Sequence, residues 1–306
     1  MKKRTLSVMI GVAIGTWGCS FSAGTIGTPT PTQLVDGAGT IVAATMQAYT
    51  AIPTQSVSTP ASTEAPTAEP ATPLGGASIS YESVSFVIPN GVAANANAEK
   101  ITAVEANSGA PWEIAPTHLR FTLTEYQLQG KLHEPRMYIY PAEEYAQSNP
   151  SAAEQIRRLK NILAGATPLQ ETLPTVPFFN AAAQIAAYIK LIPFQSGGGV
   201  RWLTQYAQYA APINNHELFY HFQGLTSDGR YYMIGVLPVT VSILPEDENP
   251  AATIPEGGVP IPTDVGPNDV YYFSVTEKLN SLPPDAFTPS LDGLDALVQS
   301  IAITNP

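Results

Sequence analysis

The sequence contains a single cysteine, Cys19, in 306 residues. A chain with one cysteine forms no internal disulfide, so its folded part must be stabilised by its own hydrophobic core. Charged residues make up only 13% of the chain, and histidine occurs four times. The sequence therefore offers few side chains for acid–base or metal chemistry.

Long apolar runs are missing as well. The run from Leu6 to Trp17 spans 12 residues, which is shorter than the roughly 20 that a transmembrane helix needs. It follows the basic residues Lys2, Lys3 and Arg4, and a basic start before a short apolar run is typical of a secretory signal peptide. We therefore predict that residues 1–18 are a signal peptide and that the protein is exported.

Basic charge is scarce in the remainder of the chain. The formal net charge is −11, and only three of the 25 acidic residues precede Ala77. An acidic domain repels nucleic acid and anionic lipid headgroups. We therefore expect no nucleic-acid partner.

Sequence motifs of catalysis and cofactor binding are not found. The chain has no G-x-S-x-G elbow, no S-x-x-K, no G-x-G-x-x-G and no phosphate-binding loop,. His216-Glu217-Leu218-Phe219-Tyr220-His221 is similar to the H-E-x-x-H zinc motif but is one residue too long. In a strand, residues an odd number apart point to opposite faces, so His216 and His221 should not share a metal. We predict no metal site and no cofactor, and we assign no catalytic residue.

What the sequence does contain begins with a segment rich in threonine, serine and proline. Residues 51–76 include five prolines, five threonines and three serines among 26 residues. Such a segment cannot bury a core, and proline keeps it extended. We predict a disordered tether over residues 19–76. Within it a short amphipathic helix over residues 38–49 is indicated by apolar residues at helical spacing: Ile41, Val42, Thr45, Met46 and Tyr49.

Thr16-Trp17-Gly18-Cys19 ends the apolar run. A small residue directly before a cysteine resembles the lipobox of bacterial envelope lipoproteins; Gly18 fits that pattern, whereas Thr16 and Trp17 depart from it. The resemblance implies that Cys19 becomes the first residue after cleavage and carries a diacylglyceryl group. Two acyl chains give a stable membrane anchor facing outside the cytoplasm. The alternative is an ordinary signal peptide followed by an incidental thiol.

The rest of the chain, residues 77–306, is predicted to form a single α+β domain. Strand-like and helical segments indicate a mostly antiparallel sheet of six to seven strands with helices packed on it. The clearest signal is a hairpin of residues 217–225 and 230–241 around Asp228-Gly229. Other strands are predicted over residues 78–88, 117–128, 136–140, 185–194 and 200–209. Helices are predicted from Pro141 and over residues 151–163, 268–282 and 289–301, with residues 92–116 as an irregular connection.

Aromatic residues are dense in the central strands. One face of these strands must belong to the core, and the other is either a ligand groove or a second core beneath a second helical layer. Under the first interpretation, the ligand-facing residues are Trp202, Tyr206, Asn215, His216, Tyr220, His221 and Tyr231.

Two functions follow as hypotheses. The first is a lipid-anchored, surface-displayed domain without catalysis, which binds an envelope protein or glycan or has a structural role. The alternative is an envelope hydrolase with dispersed catalytic residues near His216, His221 and Asp228. Convergence of these three side chains in one concave pocket would favour the hydrolase, and burial of His221 against a helix would favour the binding domain.

Overall fold

The computed structural model describes residues 75–249, 251–263, 266 and 270–304. The predicted signal peptide, Cys19, the tether and the helix over residues 38–49 lie outside the described residues. Those described belong to one compact unit of the chain, Ala68–Pro306.

The described residues form fourteen strands and four α-helices. The strands are β1 (Gly76–Tyr81), β2 (Val84–Pro89), β3 (Asn95–Ile101), β4 (His118–Thr124), β5 (Arg136–Pro141), β6 (Ala182–Ala183), β7 (Ala187–Phe194), β8 (Gly197–Thr204), β9 (Tyr206–Ala207), β10 (Phe219–Thr226), β11 (Tyr231–Pro238), β12 (Thr240–Val241), β13 (Phe287–Thr288) and β14 (Ala302–Ile303). The helices are α1 (Ala142–Ser148), α2 (Pro150–Leu163), α3 (Val270–Asn280) and α4 (Leu291–Gln299), with short 3₁₀ turns at Gln170–Thr172 and Pro284–Ala286.

Seven of the strands form one antiparallel sheet in the order β3-β4-β5-β11-β10-β8-β7. A second sheet has the order β1-β2-β14, and β6-β9 and β12-β13 are short pairs. The predicted α+β class, with a mostly antiparallel sheet and packed helices, is confirmed.

The hairpin predicted around Asp228-Gly229 is present as β10 and β11, and it lies at the centre of the large sheet. Phe219 pairs with Pro238 and Leu225 with Tyr232. Gly229 in the connecting turn has a φ of 73°, a conformation that costs glycine little because it lacks a Cβ,. Every residue of β10 is buried, so this strand has packed material on both of its faces.

The side chains of the sheet alternate between two cores, as the two-residue period of a strand requires. Tyr220, Phe222 and Met233 belong to the core that also contains α3, α4 and β2. Phe219, Trp202 and Tyr232 belong to the opposite core, which contains α1 and α2. The face that sequence analysis left open is therefore a second core beneath a second helical layer.

Helix α2 covers this second core for reasons visible in its sequence. The Asn149 side chain caps its start by accepting hydrogen bonds from the backbone N–H groups of Ser151 and Ala152,. Gly165, with a φ of 105°, lies just beyond its end,. The buried face of α2 consists of Ala152, Gln155, Ile156, Leu159 and Ile162.

Helix α4 is fixed to the opposite face by a buried ion pair. Asp295 accepts hydrogen bonds from Arg201 Nε on β8 at 3.1 Å, from Tyr220 Oη on β10 at 3.0 Å and from Lys190 Nζ on β7 at 2.9 Å. The side chains of Arg201 and Asp295 are 2% and 5% exposed. One carboxylate on α4 thus contacts three neighbouring strands.

Two segments differ from the prediction. Residues 78–88 are a hairpin of β1 and β2 rather than one strand, because the chain turns at Glu82, which has a φ of 49° without being glycine. Residues 92–116 contain β3, an edge strand paired with β4. Separately, no described helix has the length and apolar character needed to span a membrane.

Candidate functional site

The seven residues predicted to face a ligand do not share one surface. Tyr220 lies on the α4 side of the sheet, where its hydroxyl donates to Asp295. Tyr231 is half-buried at the start of β11, beside a separate cleft of 530 Å³. Five of the seven are buried, with exposures of 7% or less: Trp202, Tyr206, Asn215, Tyr220 and His221. These five are core residues in this structure, so the interpretation of all seven as one ligand-facing surface is corrected.

Asn215 and His216 fix the chain before β10. Asn215 Nδ2 donates to the carbonyls of Val241 and Leu244, each at 3.0 Å, and Asn215 Oδ1 accepts from Val241 N at 2.8 Å. His216 Nδ1 lies 3.1 Å from the Gly130 carbonyl, and the His216 carbonyl accepts from Leu132 N at 2.9 Å. Half-buried His216 thereby holds the segment that carries His133.

The residues of the hydrolase hypothesis lie apart. His216 precedes β10, His221 is within it and Asp228 follows it. Eight strand residues at about 3.3 Å each separate the two ends by roughly 26 Å. Asp228 accepts from Thr226 Oγ1 at 2.6 Å and from Arg230 N at 3.0 Å in the hairpin turn. These three side chains therefore do not form one concave pocket. His221 is buried, and its Nε2 contacts the carbonyl of Val176, a loop residue.

Polar side chains of β10 hold a loop, residues 174–180, over the α1–α2 side of the sheet. Gln223 Nε2 donates to the Pro174 and Val176 carbonyls at 3.1 and 2.7 Å. At the other end of this loop, Gln208 Nε2 donates to the Asn180 carbonyl at 3.0 Å. Residues 177–179, between these two attachments, include the half-buried rings of Phe178 and Phe179.

The contacts of His221 determine which of its ring nitrogens carries the proton. Nε2 lies 2.8 Å from the Val176 carbonyl oxygen, and a carbonyl only accepts, so Nε2 must be the protonated nitrogen. Gln223 Nε2 is 3.1 Å from the same nitrogen. Because both groups donate to the Val176 carbonyl, we do not regard this approach as a hydrogen bond between them. Nδ1 of the neutral ring is left as a hydrogen-bond acceptor.

Four buried polar atoms have no hydrogen-bond partner among the described residues: His133 Nε2, Arg136 Nε, Tyr206 Oη and His221 Nδ1. The rings of His133, Tyr206 and His221 surround Phe219, with centroids 4.6, 6.0 and 5.3 Å from its own. Buried polar atoms nearly always have a partner, and leaving one without costs about 1–3 kcal/mol. The concentration of three of the four around one ring marks this region as the candidate functional site.

A cleft of 570 Å³ opens beside this region and is lined by two of the four residues, His133 and Arg136. We call it the aromatic cleft, after its lining by His133, Glu134, Arg136, Tyr138, Phe178 and Phe179. The Phe179 ring also contacts the rings of His133 and Tyr206, at 5.1 and 4.6 Å. Phe179 therefore lies between the cleft and the deeper Tyr206.

Burial keeps both histidines of the site neutral. Desolvation lowers the pKa of His133 to about 4, and the nearby charge of His216 lowers it further in the same direction. Desolvation also lowers the pKa of His221 to about 3, against the opposing effect of its hydrogen bond to Val176. Uncharged imidazoles at neutral pH exchange hydrogen bonds with a ligand without requiring a counter-charge.

A second cleft, of 770 Å³, adjoins the first at Leu132, which lines both. We call it the acidic cleft, because its lining includes Tyr209, His216, Glu217, Asp247 and Glu248. Burial, followed by the neighbouring carboxylate of Glu248, raises the pKa of Glu217. The side-chain hydroxyl of Tyr209, a residue that is 59% exposed, donates a hydrogen bond to the Glu248 carboxylate.

Within the described part of the chain, no three His, Cys, Asp or Glu side chains are arranged to hold a metal ion. The sequence analysis identified Tyr206 and His221 but missed His133, Arg136 and Phe179. His133 and Phe179 lie in irregular segments, where no periodicity indicates which way a side chain points.

Comparisons with known proteins do not add a family. No family model, no curated protein and no solved structure matches this chain.

Proposed function

We propose that this protein is an exported lipoprotein whose folded domain binds a ligand of the cell envelope, a glycan or a protein, without catalysing a reaction. Diacylglyceryl-Cys19 is its membrane anchor, residues 19–76 are the spacer and the domain is displayed outside the cytoplasm. The anchor rests on the basic start, the short apolar run and the Gly18-Cys19 pair,.

The observation that carries the binding function is the group of four partnerless polar atoms at the aromatic cleft. Two of them, His133 Nε2 and Arg136 Nε, belong to residues that line it. Ligand sites are typically concave, mostly apolar and supplied with a few placed polar groups, and their volumes are about 300–1,000 Å³. The aromatic cleft has that size, and its lining combines three aromatic rings with the polar groups of His133, Glu134 and Arg136. A domain built only as a spacer has no need to leave such groups without partners.

The anchor is tested by Triton X-114 partitioning and intact-mass measurement of the full-length protein from its native envelope. We expect the wild type to enter the detergent phase with the added mass of a diacylglyceryl group. A Cys19→Ala variant should stay in the aqueous phase. Because residue 19 precedes the described domain, the variant should keep the far-UV circular dichroism of the wild type. Aqueous behaviour of both proteins would overturn the anchor.

A further inference from the structure

We propose that the aromatic cleft binds a neutral pyranose ring of a glycan, with sugar hydroxyls as the partners of the four buried polar atoms. This inference rests on the proposed binding function and specifies its ligand. Three features of the cleft favour such a ligand: the hydrogen bonds that its polar atoms can form, its charge and the shape of its walls.

The four atoms require a ligand that both donates and accepts. His221 Nδ1 can only accept, because its Nε2 carries the ring proton,. Arg136 Nε can only donate, and Tyr206 Oη does either. A single hydroxyl donates one hydrogen bond and accepts two, so a ring bearing several hydroxyls offers a partner of the kind that each of these atoms needs. An apolar side chain of a peptide has no polar atom to offer and would leave them without partners.

The cleft selects against charged ligands. Its lining has one carboxylate, Glu134, and one guanidinium, Arg136, which form an ion pair with each other. The His133 imidazole beside them is neutral at pH 7 because burial lowers its pKa to about 4. A phosphate, a carboxylate or an amine would have to compete with this ion pair for a counter-charge, whereas a neutral sugar needs none.

The walls suit a flat ring with one apolar face. Tyr138, Phe178 and Phe179 line the cleft, and such rings give large apolar contact area at a low entropic cost. His133 and Arg136 line the cleft directly, whereas Tyr206 lies behind the Phe179 ring at 4.6 Å. Side-chain rotation on binding is common. We infer that Phe179 turns outward, packs on the sugar and opens the way to Tyr206 and His221.

The test compares two Tyr→Phe variants in the full-length soluble Cys19→Ala background. Tyr206→Phe removes the hydroxyl without a partner. Tyr126→Phe, its matched control, removes a buried hydroxyl that donates to the Pro238 carbonyl at 2.8 Å in the opposite core. The probes are neutral tetrasaccharides of glucose, mannose, galactose and N-acetylglucosamine, titrated by calorimetry, together with the melting temperature of each unliganded protein.

We expect at least one tetrasaccharide to bind the parent protein. Tyr206→Phe should weaken that binding at least about tenfold, because it removes one hydrogen bond from a desolvated site. The unliganded Tyr206→Phe protein should melt no lower than its parent, whereas Tyr126→Phe should melt lower and bind as tightly as the parent. Absence of binding by all four sugars would overturn the inference, as would binding that is insensitive to Tyr206→Phe.

The sugar titration and the test of the lipid anchor can fail independently of each other. A wild type that stays out of detergent would remove the lipid and leave the sugar site standing. A wild type that enters detergent while no sugar binds would keep the lipoprotein and remove the sugar, which leaves an envelope protein as the partner.

Discussion

Removing the charge of Asp295 should destabilise the domain strongly. Asp295→Asn keeps the size of the side chain, but the guanidinium of Arg201, 2% exposed, then has no counter-charge. Breaking a buried ion pair from one side costs about 3–5 kcal/mol, because a desolvated charge is left uncompensated. Lys190 is affected less, because 52% of its side chain is exposed and can be hydrated.

Urea unfolding followed by far-UV circular dichroism measures the effect. With a slope of about 3 kcal/mol per M, at the upper end of the range for small proteins, the loss lowers the unfolding midpoint by roughly 1–2 M. Asp292→Asn, at an exposed position on the same helix, is the matched control and should change the midpoint by less than about 0.2 M, as surface substitutions usually do.

A double variant separates the charge from the packing. In Arg201→Met with Asp295→Leu, both charges are replaced by apolar groups of similar size, and the stability should recover most of the loss. Asp295→Asn with a wild-type midpoint would refute the reasoning, because Arg201 would then have to be hydrated or paired elsewhere.

The other predictions concern the two histidines, the chain before β10 and one glycine. In the folded protein the pKa values of His133 and His221 are about 4 and about 3, below the ordinary 6.5. Between these values and pH 6.5 the unfolded state therefore binds more protons than the folded state. The contribution of the two histidines to stability is complete above pH 6.5 and decreases as the pH falls towards 3. Urea midpoints from pH 7 to 4 should fall, and should fall less in His221→Gln; an equal fall in both proteins would contradict this. Asn215→Ala removes three buried hydrogen bonds and should cost about 2–4 kcal/mol in urea unfolding, against little change for exposed Asn161→Ala. Gly199→Ala would place a Cβ 2.4 Å from the Gln223 carbonyl oxygen, whereas at Gly198 the atom nearest to an added Cβ is Leu163 Cδ2 at 3.7 Å. We therefore expect Gly199→Ala to lower the melting temperature by several degrees more than Gly198→Ala. Equal melting temperatures of the two variants would contradict this packing.

The central hairpin was predictable because its signals are local. Asp228-Gly229 gives the turn its conformation, and β-branched and aromatic residues flank it on both sides,. Residues 78–88 were harder to predict, because the turn of the β1–β2 hairpin depends on a left-handed Glu82 with no glycine or proline to mark it. The edge strand β3, Asn-Ala-Asn-Ala-Glu-Lys-Ile, contains few good strand formers, and is a strand because it pairs with β4.

The candidate site was only partly predictable. Alternation along β10 places Phe219, His221 and Gln223 on one face, and the structure has them there. Alternation does not say what covers that face. The cover consists of α1, α2 and the loop held at Val176, which depend on contacts between residues more than 40 positions apart in sequence, such as His221 and Val176.

The location of the sugar is the most direct test of the account. A crystal structure of the Cys19→Ala protein with the tetrasaccharide that binds most tightly should show a pyranose ring against Phe179, with hydroxyls bonded to Tyr206 Oη and Arg136 Nε. A sugar bound instead in the acidic cleft beside Tyr209 and Glu217, or ordered water alone at the four buried polar atoms, would contradict it.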